Sequence, residues 1–174
     1  MALRLLLGGA RSGKSALAVR LATTWDGPVV FVVTAEALDA EMAERIKRHR
    51  RDRQAKWETI EEPVDVVGAL SRLPDDAFVV VDCLTLWVAN LLEAGWTEDA
   101  VEQAARQAAS VLAARTTPTV VVSNEVGLGL VPETALGRAY RDVLGRVNAA
   151  FAEEADSAQL VVAGRVLDLG APPA

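Results

Sequence analysis

Residues 3–15 read LRLLLGGARSGKS, an apolar run followed at once by a glycine-rich segment. The segment Gly8–Ser15 matches the pattern G-x-x-x-x-G-K-[ST] in full, between a strand pattern and a helix pattern, as this motif requires. Glycines let such a loop wrap closely around a phosphate, and the N-terminus of the following helix adds positive potential. We therefore predict a phosphate-binding loop here rather than an ordinary glycine-rich turn.

Each residue of this loop is a predicted nucleotide contact. The Lys14 ammonium is expected on the β- and γ-phosphates, and the Ser15 hydroxyl on Mg²⁺. The predicted contacts are Gly8, Gly9, Ala10, Arg11, Ser12, Gly13, Lys14 and Ser15.

Short apolar runs and helical patterns alternate along the rest of the chain. The runs lack polar alternation, which is typical of strands covered on both faces of a parallel sheet. The chain is therefore predicted to form an α/β fold, a mostly parallel sheet with helices on both faces. The predicted strands are Leu3–Leu7, Val29–Val33, Phe78–Val81, Thr119–Val122 and Leu160–Ala163. The predicted helices cover Ser15–Ala22, Asp39–Arg53, Glu98–Arg115 and the apolar stripe from Leu136 to Phe151.

Composition limits the classes of protein that the chain could be. Its 174 residues fit one domain, residues 1–174, and the apolar share of 51% excludes a disordered chain. The net charge of −6 argues against a general nucleic-acid binder. The single cysteine, Cys83, excludes an internal disulfide, and the single histidine, His49, excludes sites built from several histidines. Because neither a targeting segment nor an apolar run of membrane-spanning length is found, we expect a soluble, cytoplasmic protein.

A second predicted site residue follows the third apolar run. Phe78–Val81 leads into Asp82, the Walker-B pattern of a hydrophobic strand that ends in a carboxylate. Since parallel strands deliver their carboxyl ends to one edge of the sheet, Asp82 and Ser15 could meet there. The alternative is that Asp82 caps a helix over Leu84–Leu92. The paired phosphate-binding loop favours the metal role, so we predict Ser15 and Asp82 as ligands of Mg²⁺, which prefers such hard oxygen ligands.

A strongly basic segment carries the only histidine. Residues 45–56 hold seven of the 18 Lys and Arg residues and one acid, a net charge of +6 that leaves −12 for the rest of the chain. Such a concentration of charge suggests an anionic partner, either a nucleotide polyphosphate or, despite few interleaved aromatics, a nucleic acid. On a helix, Arg45 and Arg53 would share a face with His49 and favour its neutral, nucleophilic form. A solvated basic face with an inert histidine is the alternative.

These segments together resemble one family, the bifunctional adenosylcobinamide kinase / adenosylcobinamide-phosphate guanylyltransferases. The resemblance covers nearly the whole chain in order. Its most specific parts are the basic segment with its histidine and the block that reads NEVGLGLVPE. The matching residues are Gly8–Ser15, Asp39–Ile46, His49, Arg50, Asn124–Glu133, Arg138, Tyr140–Asp142, Gly145 and Asn148.

The resemblance implies a RecA-like P-loop fold, assembly as a homotrimer, and two steps of cobalamin biosynthesis. ATP or GTP first phosphorylates adenosylcobinamide. GMP then passes from GTP to adenosylcobinamide phosphate through a GMP-histidine intermediate, giving adenosylcobinamide-GDP and pyrophosphate. The implied catalytic residue is His49. Beyond the phosphate-binding loop, the implied nucleotide contacts are Val33, Thr34, Ala35, Arg50, Arg51, Asp52, Arg53, Glu61 and Asp82.

Other residues have predicted roles near this site. Asn124–Glu133 is expected to be a substrate loop because it follows the fourth predicted strand, at the edge where α/β proteins bind ligands; a plain connecting loop is the alternative. Relatives often carry Gln after Asn148, where this chain has Ala149. Trp87 and Trp96 are predicted core or interface residues, and Cys83 a small buried residue rather than a nucleophile.

Two other functions stay open at this point. The first is a P-loop kinase with a single activity on another small molecule, in which the basic helix clamps phosphates and His49 is incidental. The second is a nucleotide-gated binding module of RecA type. Covalent label from α-labelled GTP separates the first, and turnover with cobinamide separates the second.

Overall fold

The structure is a computed structural model, and it describes residues 3–36, 40–51 and 54–171. Its strands are β1 Leu3–Leu7, β2 Val29–Val33, β3 Glu58–Glu61, β4 Phe78–Asp82, β5 Thr119–Val122, β6 Ser157–Val162 and β7 Arg165–Leu169. They form one seven-stranded sheet in the order β3-β2-β4-β5-β1-β6-β7. Strands β1 to β6 run parallel, whereas β7 is antiparallel to β6.

Helices connect the parallel strands. They are α1 Lys14–Ala22, α2 Ala40–Arg51, α3 Val66–Leu70, α4 Leu84–Glu93, α5 Glu98–Ala113 and α6 Ala135–Glu154. Among the helices of the described ranges, none is both long and apolar enough to cross a membrane.

Two hydrophobic layers enclose the sheet, one on each face. In β4, Val79 and Val81 belong to the layer that includes α3, α4, α5 and α6, whereas Phe78 and Val80 belong to the layer that includes Ala18 of α1. Each buried Val or Phe side chain contributes about 1.5–3 kcal/mol, so both layers stabilise the sheet. A strand covered on both faces needs an apolar residue at every position, which is why these runs lack polar alternation. The predicted fold class is confirmed.

The predicted strands agree with β1, β2, β4 and β5, but the prediction for the fifth run was wrong in position. The strand β6 is Ser157–Val162, and Ala163 lies beyond it in a turn with φ +50°. Its first four residues, Ser157 to Leu160, are partly exposed and include both polar and apolar side chains. Hydrophobicity alone therefore does not mark where β6 begins.

Two strands and one helix have no signal in the apolar pattern. At one edge of the sheet, β3 reads Glu-Thr-Ile-Glu, and at the other edge β7 is exposed along its whole length. In β3 only Ile60 is a large apolar residue, and in β7 charged Arg165 and Asp168 interrupt the apolar residues, so neither edge strand forms the continuous run that marks the central strands. The helix α3 has only five residues, too few for helical periodicity to be recognised.

The two tryptophan predictions have different outcomes. Trp87 is 1% exposed and lies in the core beside α3 and α5, as predicted. Trp96 is 41% exposed, so it is not a core residue of this chain. A place for Trp96 in an interface stays a prediction.

Candidate active site

The phosphate-binding loop connects β1 to α1. Gly8 has φ +147° and Gly13 has φ +105°, values that residues with a Cβ atom rarely adopt. A Cβ atom on Gly8 would also lie 2.2 Å from the backbone oxygen of Val161 in β6. The path of the loop against β6 therefore requires glycine at these two positions of the motif.

Lys14 is folded back onto this loop. Its side chain is 6% exposed, and Nζ donates hydrogen bonds to the backbone oxygens of Gly8 and Gly9, both at 2.7 Å, and to Ser12 Oγ at 3.3 Å. Removing an ammonium from water costs several kcal/mol, which such oxygen partners offset. The positive charge is thus held among the loop's own oxygens, where oxygens of a phosphate could replace them.

Two segments outside the motif support the loop. Gly164, in the turn between β6 and β7, donates its backbone N–H to Ser12 O at 2.8 Å, and Glu125 N donates to Gly8 O at 3.2 Å. Ala163 and Gly164 have φ of +50° and +74°, positive values typical of a two-residue hairpin turn. Sequence reasoning missed this hairpin. The usable signal was the Ala-Gly step directly after the apolar run that ends at Val162.

Asp82 ends β4 and reaches the start of α1. Ser15 Oγ donates to Asp82 Oδ1 at 3.5 Å, so the predicted hydroxyl and carboxylate face each other across the sheet edge. The helix α4 begins at Leu84, and its N-cap residue is Cys83, whose side chain makes no capping hydrogen bond. The alternative that Asp82 caps this helix is therefore wrong.

The Ser15–Asp82 pair has the donor chemistry of a Mg²⁺ site. Mg²⁺ takes oxygen ligands at about 2.0–2.1 Å, which places neighbouring ligands of its octahedron roughly 3 Å apart. The 3.5 Å between the two side-chain oxygens needs only a small contraction to fit. One hydroxyl and one carboxylate leave the other positions to phosphate oxygens and water, the usual arrangement in a nucleotide site.

The end of β2 lies beside Asp82. In the sheet register Val33 pairs with Asp82, and Thr34 N donates to Asp82 O at 3.2 Å. Val33 and Thr34 are buried, whereas Ala35 is partly exposed. Three predicted contacts that are far apart in the sequence, Ser15, Thr34 and Asp82, are thus neighbours in the fold.

An ion pair links the basic helix α2 to the carboxyl end of β3, at the same end of the parallel strands as Asp82. Arg50, in the last turn of α2, forms a salt bridge with Glu61, the last residue of β3, and both are predicted nucleotide contacts. Arg51 pairs with Glu44 of its own helix at 3.3 Å. His49 has its backbone in α2, but its side chain lies outside what the structure describes, as do the side chain of Arg45 and the whole of Asp52 and Arg53.

The block Asn124–Glu133 forms most of the connection between β5 and α6. Its start is anchored by Asn148 of α6, whose amide donates to Asn124 O at 3.0 Å and whose Oδ1 accepts from Ser123 Oγ at 2.6 Å. Its middle is open, and the side chains of Leu128 and Leu130 are almost fully exposed. The block is therefore a loop with a fixed root next to Gly8 and an apolar, solvent-facing centre.

Burial keeps two titratable groups near the root of this loop protonated. Burial and the neighbouring Asp82 charge raise the pKa of the Cys83 thiol to about 11. Burial also raises the pKa of Tyr140 to about 12, and the Tyr140 hydroxyl donates to Thr85 O at 3.2 Å. A thiol with such a pKa is a poor nucleophile at neutral pH, as predicted, but residue 83 is partly exposed rather than fully buried.

A glycine-rich loop after β1, a lysine within it, and an acid at the end of a parallel strand define a class, the P-loop nucleotide-binding α/β proteins. Within that class, residues 4–169 match the model of the family described as cobinamide kinase / cobinamide phosphate guanyltransferase. The chain belongs to this family. The predicted family is confirmed, and with it the prediction of an enzyme with kinase and nucleotidyltransferase activities.

Named relatives match the chain along almost its whole length. It is 41% identical over 172 residues to the bifunctional adenosylcobalamin biosynthesis protein CobP of Pseudomonas aeruginosa, covering 97% of this chain and 98% of that protein. It is also 41% identical over 175 residues to the bifunctional adenosylcobalamin biosynthesis protein CobU of Salmonella typhimurium, covering 92% and 95% of the two chains.

A solved structure supports the fold. A protein from Pyrococcus horikoshii OT3 superposes with a TM-score of 0.56 at 11% identity, covering 96% of this chain and 85% of that one. At this identity the likeness concerns the arrangement of strands and helices only.

Proposed function

We propose that this chain phosphorylates adenosylcobinamide with ATP or GTP and then transfers GMP from GTP to the resulting adenosylcobinamide phosphate. The products of the second step are adenosylcobinamide-GDP and pyrophosphate. The observation that carries the proposal is the convergence of Lys14, Ser15 and Asp82 at one sheet edge in a member of this family.

The kinase step uses the phosphate-binding loop. Lys14 exchanges its bonds to Gly8 O and Gly9 O for the β- and γ-phosphates, which keeps its charge paired throughout. The substrate's hydroxyl oxygen attacks the γ-phosphorus in line, the bond to the bridging oxygen breaks, the nucleoside diphosphate leaves, and the hydroxyl proton passes to solvent. Mg²⁺ held by Ser15 and Asp82 would neutralise negative charge on the phosphates.

The guanylyl step uses the only histidine. A nitrogen of the His49 imidazole attacks the α-phosphorus of GTP, the new N–P bond replaces the bond to the bridging oxygen, and pyrophosphate leaves. An oxygen of adenosylcobinamide phosphate then attacks the same phosphorus, and the N–P bond breaks to restore the imidazole. The guanidinium groups of Arg50, Arg51 and Arg53 stabilise the developing charge. The ion pair of Arg50 with Glu61 supports this assignment because it joins α2 to the sheet edge that carries the phosphate-binding loop.

The acceptor substrate is assigned to the block Asn124–Glu133. Its root is bonded to Gly8 through Glu125, so an acceptor held by the loop lies close to the bound phosphates. Its exposed Leu128 and Leu130 offer apolar surface to a large corrin ring.

We further propose that residues 1–174 form one nucleotide-binding domain, and that the protein works in the cytoplasm as a homotrimer without a nucleic-acid partner.

Labelled GTP tests the covalent intermediate. After incubation with GTP labelled at the α-phosphate, denatured wild-type protein should retain label that acid removes and base does not, as expected of a phosphoramidate. The His49→Asn variant should retain none. Lys47→Gln, which removes a neighbouring exposed charge of the same helix, should label like the wild type.

A second label separates the rival functions. With ATP labelled at the γ-phosphate, the His49→Asn variant should still transfer label to adenosylcobinamide, since the residues of the kinase step are intact. Kinase transfer without any α-label in the wild type would favour the kinase with a single activity. Neither transfer, together with tighter binding of a protein or nucleic acid in the presence of nucleotide, would favour the binding module.

A further inference from the structure

Two polar side chains behind the nucleotide site connect the ends of three neighbouring strands, β2, β3 and β4. Thr34 follows β2, and Asn90 lies in the middle of α4. We infer that the Thr34 hydroxyl and the Asn90 amide are positioning groups that hold the Asp82 carboxylate in place for the metal ion of the bound nucleotide. The inference rests on the metal role proposed above for Asp82.

The Thr34 hydroxyl is fully used by the residue that follows Asp82. The Thr34 side chain is 0% exposed, its Oγ1 donates to Cys83 O at 2.7 Å, and it accepts from Cys83 N at 3.1 Å. A hydroxyl has a single hydrogen to donate, so this one cannot also donate to a nucleotide while these bonds persist. Together with the bond from Thr34 N to Asp82 O, residue 34 makes three hydrogen bonds to the backbone of Asp82 and Cys83.

Asn90 extends the same support to β3. Its Nδ2 donates one hydrogen bond to Thr34 O at 2.8 Å and another to Pro63 O at 3.0 Å. Pro63 follows Glu61, the partner of Arg50, by two residues. Both N–H groups of one amide therefore join the end of β2 to the chain that leaves β3. Trp87, one turn earlier in α4, adds a bond from its indole N–H to Val64 O at 2.9 Å.

The geometry of a Mg²⁺ site makes this support matter. The ion requires near-ideal octahedral oxygen ligands, so a small displacement of the Asp82 carboxylate weakens its binding. Residues that orient metal ligands from behind typically change metal affinity or activity by about 10–100-fold when replaced. Thr34→Val keeps the shape of the side chain but leaves the N–H and C=O of Cys83 without their partner, whereas Thr34→Ser keeps the hydroxyl.

Nucleotide affinity with and without metal tests the inference. For the full chain, the dissociation constant of a non-hydrolysable ATP analogue is measured by calorimetry in EDTA and in saturating Mg²⁺, and the ratio of the two values reports the gain due to the metal. We expect Thr34→Val to lower this gain about tenfold, close to Asp82→Asn, with a smaller effect on the affinity in EDTA. Thr34→Ser should recover most of the gain.

Asn90→Ser provides a second test that does not alter Thr34. It removes both amide bonds and should lower the gain in the same direction, so a Thr34→Val chain that fails to fold does not decide the matter. A gain that survives in Thr34→Val and Asn90→Ser but is lost in Asp82→Asn would overturn the inference and leave the proposed function standing. An equal loss of affinity in EDTA and in Mg²⁺ would also overturn it, since it would make Thr34 a direct nucleotide contact. A gain unaffected by Asp82→Asn would instead refute the metal role of Asp82.

Discussion

The phosphate-binding loop and helix α2 are both predicted to contact nucleotide, but the structure supports them differently. In the loop, Lys14 is buried with three oxygen partners, and Gly8 and Ser12 accept hydrogen bonds from two other segments. In α2, none of the side chains that the structure describes is buried, and Arg50 and Arg51 are held by surface ion pairs. Such pairs contribute at most about 1 kcal/mol each. Packing and backbone hydrogen bonds therefore hold the loop, whereas the polar contacts described for the side chains of α2 are exposed ion pairs.

This difference fits the two proposed steps. A phosphate-binding loop must be preorganised, because its backbone N–H groups act only if they already point at the phosphate. In the proposed second step α2 would carry the nucleotide on His49 and deliver it to another substrate, and the exposed ion pairs of Arg50 and Arg51 are weak enough to exchange for contacts with that substrate. Substitutions in the loop should therefore cost more activity or stability than substitutions of the α2 ion pairs.

Lys14→Ala should abolish most of the kinase activity. The variant loses the ammonium that would bind the transferred phosphoryl group, and loss of one such group costs about 100-fold or more in kcat. Transfer from γ-labelled ATP to adenosylcobinamide measures this. Arg20→Ala, an exposed residue at the other end of α1, serves as the control and should keep wild-type rates. A Lys14→Ala rate within a few-fold of the wild type would contradict the role assigned to the loop.

Gly8→Ala should destabilise the whole protein. The new Cβ would lie 2.2 Å from Val161 O at a φ of +147°, so both overpacking and backbone strain oppose folding, at about 1–3 kcal/mol each. Denaturant titration gives the loss. At Gly9 a Cβ would meet no atom within 4 Å, and Gly9→Ala should change the free energy of unfolding by less than about 1 kcal/mol. Equal losses in the two variants would show that contact with β6 does not shape the loop.

Alkaline pH should lower the free energy of unfolding through ionisation of the Cys83 thiol, next to Asp82. The pKa of this thiol rises from an ordinary 9.0 to about 11 in the folded protein, so the native state keeps a proton that the unfolded chain releases. Its stabilising contribution is therefore complete below about pH 9 and is lost as the pH rises towards 11, by about 2–3 kcal/mol at most. The free energy of unfolding should fall less steeply over this range in Cys83→Ala than in the wild type. Parallel curves would argue against a buried, protonated thiol.

Glu61→Gln should have the smallest effect on stability and a clear one on nucleotide binding. Glu61 and Arg50 are about half exposed, so loss of their ion pair should cost less than about 1 kcal/mol. The KM for GTP in the guanylyl step should rise severalfold, because the pair lies where nucleotide contact is proposed. Glu44→Gln removes the corresponding partner of Arg51 within α2 and is the matched control. An unchanged KM in Glu61→Gln would separate this end of α2 from the nucleotide.

Much of the fold and part of the candidate site could be predicted without coordinates. Buried parallel strands and the phosphate-binding loop leave strong local patterns, since every position of a strand such as Val29–Val33 must be apolar and Gly8 must lack a side chain. Edge strands leave weak ones, so β3 and β7 have no signal in the apolar pattern. The Ala-Gly step in the sequence indicates a hairpin turn at Gly164. Nothing in the sequence indicates that this turn contacts Ser12 of the phosphate-binding loop.

The amino-acid pattern alone was enough to predict the phosphate-binding loop, the α/β class and the family, and it leaves His49 as the one histidine that the proposed covalent step could use. Three contacts could be found only in the folded chain: Asp82 faces Ser15 rather than capping α4, Arg50 pairs with Glu61, and Thr34 bonds to Cys83. The reason is physical. Local patterns report backbone conformation and burial, which neighbouring residues impose. Contacts between strand ends depend on strand order and register, which long-range packing sets and no short segment encodes.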